Sequence, residues 1–375
     1  MRVAFGALTL IVMVATSSLV SPAPSALAAT TRVVPDQYAT VQTAVNAASA
    51  GDTIKIKSGT FSEQVTIGKS LHVIGAGALA TTIHAPATLV NGSVPDSASI
   101  IEINNGATVE ISGLSVSGPA ATSCAVKPLD AGIRVVGGAT LDLHDARVSH
   151  IHETPKHRCN FNGTGVAVGA LFFGEVGHAT IQRVTVDDYE SIGIEVFTTG
   201  SDLLLTDSII NANIAPGEDA AAFGVVVGDG AVAHVLRNVI LGNRCKTVDL
   251  FCGPDPISQL QTAGIGTFLP PGPGTEFANN VIAGNDVGIY LAFVPGCCLV
   301  HDNVLLNNSF FGIAIQDGAN TVSNDLIVGG QVGVVAIADA VDTTATLQHE
   351  RIFGASVARI KRVECCGFHA SVIER

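Results

Sequence analysis

Between about residues 100 and 340 the chain runs in short apolar–polar alternations broken by Gly, Asn and Asp, with no stretch of helical spacing. A glycine followed by an apolar–x–apolar triplet recurs at Gly132 (GIRV), Gly165 (GVAV), Gly193 (GIEV), Gly224 (GVVV), Gly264 (GIGT), Gly288 (GIYL), Gly312 (GIAI) and Gly333 (GVVA). A second phrase stands before each, anchored on Leu114, Val148, Val184, Ile209, Val239, Val281, Val304 and Leu326. Four residues after these anchors come Gly118, His152, Asp188, Asn213, Asn243, Asn285, Asn308 and Gly330. Successive glycines lie 33, 28, 31, 40, 24, 24 and 21 residues apart. Short β-branched strands at a period of 21–24, joined by Gly/Asn turns, predict the coils of an all-β solenoid. A single coil cannot bury its apolar side alone, so stacking must supply a continuous core.

The repeat also works as a ruler. From each glycine to the next anchor the distances are 16, 19, 16, 15, 17, 16 and 14 residues. From the residue four past the anchor to the following glycine they are 14, 13, 5, 11, 21, 3, 4 and 3. Length variation therefore enters at one corner of the coil, as insertions 119–131, 153–164, 214–223 and 244–263. Loops inserted at one corner of stacked coils should rise on one side and wall a groove.

Near the start, "PDQYATVQTAVNAASAGDTI" places Val41, Ala44, Val45 and Ala48 at helical spacing, closed by Gly51. This helix reads as a cap on the first coil, followed at once by "TIKI", "QVTI" and "SLHVIGAG". The stretch "YATVQTAVNAASAGDTIKIKSGTFSEQVTIGKSLHVIGAG" (38–77), together with the Gly-Ile coils after it, resembles the pectin-lyase-like superfamily, in particular its carbohydrate-binding and sugar-hydrolase repeats. The resemblance implies a single-stranded right-handed parallel β-helix over nearly the whole chain beyond the leader. It leaves the reaction open, because such folds carry lyases, hydrolases, esterases, epimerases and proteins with no known catalysis. The expected division is a leader at 1–28, capping helix and first coils at 29–77, repeats at 78–354 and a terminal cap or tail at 355–375.

Composition narrows the setting. Arg2, the run "VAFGALTLIVMVA" and Ala26-Leu27-Ala28 have the three parts of a secretory signal, placing the mature chain outside the cytoplasm. No other stretch approaches a membrane span of about 18 uncharged apolar residues. Export suits eight cysteines, none in a C-x-x-C pair that would hold zinc. Cys124 with Cys159, in neighbouring loops, and Cys245 with Cys252, within one loop, are plausible disulfides, and Cys297-Cys298 and Cys365-Cys366 remain open. A formal charge of −13 argues against a nucleic-acid partner. It equally disfavours gripping a polyanionic sugar by bulk attraction, unless a divalent cation bridges the like charges.

The candidate chemistry lies where the coils deviate from the plain copy. His152 and Asp188 take the ladder position on consecutive coils, whose strands stack about 4.8 Å apart. His150 and Asp187 lie beside them. The loop they open, "HIHETPKHRCNFNG", also carries Glu153, Lys156, His157 and Arg158, residues suited to acid–base work or to sugar contacts. A solvated polar loop accounts for the same residues. The middle residue of each glycine triplet should face away from the core, giving the column Arg134, Ala167, Glu195, Val226, Gly266, Tyr290, Ala314 and Val335. Arg134 and Glu195 flank a small residue, with room between them for a sugar ring, and Glu218 and Asp219 could add carboxylates. The catalytic candidates are thus His150, His152, Asp187, Asp188 and Glu195. The substrate-binding ones are Arg134, Glu153, Lys156, Arg158, Glu218, Asp219 and Tyr290. Paired acids suit glycoside hydrolysis, whereas acids holding Ca²⁺ with Arg134 or a histidine as base suit β-elimination from a uronic acid.

Other signatures fail. "TVDLFCG" around Asp249 lacks the companion motif of pectin methylesterases, "RIK" (359–361) lacks the paired Asp motifs of polygalacturonases, and no Gly-x-Ser-x-Gly elbow is present. Asn91 and Asn162 head glycosylation-type triplets. Two readings follow: a secreted polysaccharide lyase or glycoside hydrolase with its groove beside the insertions, or a non-catalytic glycan-binding or structural β-helix. Only 5% of residues are aromatic and none is Trp, so broad sugar-stacking platforms are scarce.

Overall fold

The structure, a computed structural model, describes residues 29–120, 129–154, 162–213, 223–244, 262–294 and 296–375. Three parallel sheets, here called A, B and C, wrap one core; A has 13 strands, B and C 11 each. One turn of chain visits all three. It runs through Ala139–His144 in A, Arg147–Ile151 in B and Thr164–Val168 in C, then returns to A at Gly177–Gln182, directly above its start. This is a right-handed parallel β-helix.

Alternation explains the core. In the sheet C strands, Ile133, Val135, Val166, Val168, Ile194 and Val196 are fully buried inside the coil. In sheet B the inward column runs Val148, Val186, Ile210, Ile240, Ile282, Leu305. Each such side chain contributes about 1.5–3 kcal/mol by leaving water, so the stack is held by repetition rather than by any single contact. The recurring glycines are set by close approach. A Cβ at Gly288 would stand 2.5 Å from the Gly312 carbonyl oxygen of the next coil and 2.6 Å from Leu305.

The asparagines form two ladders. In one, Asn243 donates to Asn285 Oδ1 and Asn285 to Asn308 Oδ1, from both backbone and side chain, at 2.9–3.1 Å. In the other, at the A–B corner, Asn238 donates to Asn280, Asn280 to Asn303 and Asn303 to Asp325 in the same manner. Asp325 and Glu350 end this second column, and burial pushes their carboxyls up to about 7 and about 8.

The ladder register corrects the expected place of His152 and Asp188. Arg147 pairs with Thr185 and Ile151 with Tyr189, so Ile151 and Tyr189 occupy the ladder position, and Tyr189 Oη donates to Asn243 Oδ1 at 2.8 Å. On the later coils the anchors Ile209, Val239 and Val281 stand one residue before the inward position, whereas Val148 is itself inward and Val184 lies just before its strand, so counting from these two slips the alignment by one, which in a strand exchanges inside for outside.

The helix Val41–Ala47 forms as its spacing predicts. A reciprocal Thr40–Thr43 capping box opens it, and Val41, Ala44 and Val45 lie in the common core. The terminal segment adds the last rungs, with Ala358–Glu364 on sheet C and Ala370–Glu374 on sheet A. Adjacent cysteines pair with each other, Cys297 with Cys298 and Cys365 with Cys366. Cys124, Cys159, Cys245 and Cys252 lie outside the described residues, as does the leader.

Candidate functional site

All four insertions leave a sheet B strand and return on a sheet C strand, so their ends gather at the B–C corner. Lys156, Arg158, Glu218 and Asp219, which they carry, are outside the described residues. A further loop, residues 85–98, enters the same corner from the first coils. On the opposite side, at the C–A corner, the turn Ala170–Val176 projects Leu171, Phe172 and Phe173.

The middle residues of the glycine triplets do stack in register away from the core, Arg134 beside Ala167 beside Glu195 beside Val226. The column is nonetheless covered. Ala167, Val226, Ala314 and Val335 are at most 1% exposed, and a second apolar layer of Ile192, Phe223, Val287, Phe311 and Val332 lies on this outer face. The expected opening between Arg134 and Glu195 is also closed. Arg134 reaches over Ala167, bringing Nη2 within 3.8 Å of Glu195 Oε1, hydrogen-bonds Asp130 through the same nitrogen, and donates from Nη1 to the Gly169 carbonyl at 3.2 Å. A guanidinium so confined spans the small residue because burial makes an unpaired charge costlier than a stretched side chain.

Asp130, Arg134 and Glu195 floor a pocket of about 460 Å³ on the outer face of sheet C. One wall is the 94–97 loop with Asp130 and Asn162, from the B–C corner; the other is the Ala170–Phe173 turn. Phe197 and Phe268 meet edge-on, ring centroids 6.4 Å apart, at one margin. Phe223 lies over Gly266, where any Cβ would meet its ring at 2.3 Å. Phe172, 84% exposed, is held at a φ of +68°, a conformation that costs a bulky residue energy.

Electrostatically the floor is uneven. Burial pushes the Glu195 carboxyl up to about 7; the Arg134 charge opposes this, Asp130 adds to it and a Thr164 hydrogen bond opposes it. Burial alone would lower the Arg134 pKa, but Asp130, Glu195 and Glu102 together raise it. Arg134 is 5% exposed, and its Nε has no hydrogen-bond partner. Asp130 also accepts from Ser97 Oγ. The arrangement offers a proton on one buried carboxyl and a second carboxylate tied to a guanidinium, the elements of acid-assisted bond cleavage.

The histidine cluster is real but separate. His150 Nε2 and His152 Nε2 both lie 3.5 Å from Asp188 Oδ2, and His152 Nδ1 donates to the Glu153 carbonyl at 2.7 Å. His150 and Asp188 share positive φ, +56° and +55°, at matching places on successive strands. None of the three lines the pocket. Asp187, nominated beside them, is held bidentately by Arg147 at 2.9 and 2.6 Å. Glu153 is fully buried, and its Oε1 accepts the Leu129 amide at 2.8 Å, so it pins the loop ends instead of facing a ligand. Tyr290 donates to Gln316 Oε1 at 2.7 Å within the outer apolar layer, beyond the pocket. Among the described residues, three His, Cys, Asp or Glu ligand atoms converge only at Asp339, Cys365 and Cys366. Two sulfurs there do not make a calcium set, which takes oxygen ligands.

The spacing ruler missed the pocket's walls. The turn at 170–176 registered only as a distance of 19 where its neighbours have 16, and the 85–98 loop precedes the first anchor. Asp130 and Phe223 stand at the ends of two insertions, where spacing marks the loop but not which of its residues face a pocket.

The coil, the outer-face pocket and the inserted corner define a right-handed parallel β-helix with a candidate site on its sheet C face. Among solved structures of this kind, the chain is similar to the Agl-KA catalytic domain (TM-score 0.55, 16% identity), covering 88% of this chain and 64% of that one. It is also similar to an alginate lyase from Paenibacillus sp. str. FPU-7 (TM-score 0.52, 13% identity; 89% and 98% covered). A third is a lacto-N-biosidase from Eubacterium ramulus (TM-score 0.50, 11% identity; 89% and 64% covered). The chain thus spans just under two thirds of the first and third of these. No family model matches it, and no curated protein matches it by sequence. Among the described residues no helix is long and apolar enough to cross a membrane.

Proposed function

We propose that this is a secreted protein that acts on or binds extracellular polysaccharide, with its site at the outer-face pocket beside the 119–131, 153–164, 214–223 and 244–263 insertions. The observation that carries this reading is the buried Asp130–Arg134–Glu195 set flooring a phenylalanine-walled pocket. Charges cost too much to bury without partners or purpose, and here they meet a cavity large enough for a sugar ring. Solved β-helices with comparable coils are an alginate lyase and a lacto-N-biosidase, both by name enzymes of sugar chains, which supports the substrate class. In this reading Glu195 donates its proton to the leaving glycosidic oxygen. Asp130, held by Arg134 and Ser97, is the second carboxylate, and a glycoside hydrolase is the enzyme class. The His150–Asp188–His152 cluster at the loop corner is the alternative seat of proton transfer, and with Ca²⁺ it would suit a lyase.

The test is a panel of polysaccharides assayed for new reducing ends and for unsaturated-uronide absorbance, with and without Ca²⁺. Wild type is compared with Glu195→Gln, His152→Ala and Asp188→Ala. Loss of product by at least ~100-fold in Glu195→Gln alone is expected, since removing a general acid typically costs 10²–10⁴-fold. Loss only in the histidine-cluster variants moves the site to the loop corner. A wild type inert on every polymer yet retained on a glycan gel is a binding module, and one neither active nor retained defeats the reading.

A further inference from the structure

The pocket's own chemistry narrows the sugar. Among the described lining residues the ionisable side chains are Asp96, Asp130, Glu195 and Arg134, three acids to one base. The single base has little left to offer an anion. Its Nη2 bonds Asp130, with Glu195 close by, and its Nη1 bonds the Gly169 carbonyl, so its charge is already compensated by groups of the floor. Nε has no partner and is buried from solvent, so an entering ligand does not reach it. Phe172, Phe173, Phe197, Phe223 and Phe268 supply most of the remaining lining, beside Ser97 and Asn162, and aromatic rings attract cations. The formal charge of −13 points the same way, raising the local concentration of cations at the surface.

We infer that the pocket binds an amino sugar, a pyranose unit carrying a free, protonated amine, in preference to a uronic acid, an N-acylated unit or a plain hexose. The inference rests on the reading of this pocket as a saccharide site. The ammonium sits against the Asp96–Asp130–Glu195 side, and the phenylalanines cover the ring.

Isothermal titration of the full chain at about pH 6, where a sugar amine remains protonated, compares four tetrasaccharides: β-linked glucosamine, N-acetylglucosamine, glucose and galacturonic acid. The glucosamine tetramer should bind at least ~10-fold more tightly than the other three, a factor within reach of one desolvated cation–aromatic contact together with the carboxylates. Glu195→Gln should reduce that preference. Asp96 is exposed at a φ of +57°, which asparagine also adopts readily, so Asp96→Asn keeps the fold and should weaken the amine ligand a few-fold while leaving the glucose tetramer unchanged. Equal or tighter binding of the N-acetylated, neutral or acidic tetramer overturns the inference but leaves the saccharide site standing. An amine preference insensitive to both variants also overturns it, because the amine then sits elsewhere. No heat with any tetramer removes the saccharide site itself, and the inference with it.

Discussion

Replacing Glu195 by Gln should change the pH dependence of stability in a direction opposite to that of an ordinary surface acid. Burial disfavours the charged form of the Glu195 carboxyl and pushes it up to about 7 in the folded chain, against the ordinary 4.5 of an exposed glutamate. A raised carboxyl pKa means that the folded state holds the proton more tightly. Below about 4.5 both states are protonated and the group has no effect; as pH climbs toward 7 the unfolded state ionises first and stability falls. Above 7 the full difference is reached, about 3 kcal/mol for a carboxyl moved from 4.5 to about 7. The side chain is 14% exposed, so solvent screens little of this. Gln cannot ionise, and the variant should therefore gain on wild type by about 3 kcal/mol between about pH 4 and about pH 8. Urea unfolding followed by far-UV circular dichroism measures this at each pH, using the wild-type-minus-variant difference so that Asp325 and Glu350 cancel. A wild-type-minus-variant difference flat to within about 0.5 kcal/mol across that window, or one that rises with pH, refutes the buried, proton-holding Glu195.

Two structural substitutions probe the coil. Asn280→Ala removes an amide that donates to the Val235 carbonyl at 2.8 Å and accepts from the Asn238 amide at 2.9 Å, both buried. Orphaning the two backbone groups should cost about 2–4 kcal/mol by urea unfolding, and a loss under about 0.5 kcal/mol would mean that the ladder does not bind the coils. Gly288→Ala drives a Cβ into the Gly312 carbonyl at 2.5 Å and should lower the thermal midpoint clearly, by overpacking of about 1–3 kcal/mol. An unchanged midpoint would show that the coil spacing is softer than drawn.

How much was legible differs between fold and site. The coils were readable because each obeys the same local rule: inward β-branched residues, a glycine where the next backbone comes close, and an asparagine at the turn. The Asn285 and Asn308 ladder, the inward Ile289 and the common corner of the insertions follow from that rule alone. Register at the two coils that carry the histidine cluster is not readable from the sequence. Val148 and Val184 both look like anchors, and only the pairing of Ile151 with Tyr189 shows which residues face inward.

The amino-acid sequence by itself determined the solenoid, its coil length and the side on which chain is inserted, since these depend on periodicity, which is local. Tertiary structure decided the site. Arg134 and Glu195 were visible as a pair of charges in an apolar column, but that the guanidinium closes over Ala167 to reach Glu195, and that Asp130 joins them, depends on three successive coils and two corners meeting. The phenylalanines of the pocket come from positions between 172 and 268, scattered along the chain and gathered only by stacking. The physical reason is that burial, which sets both the charge of Glu195 and the value of an aromatic wall, belongs to the packed stack and to no single coil.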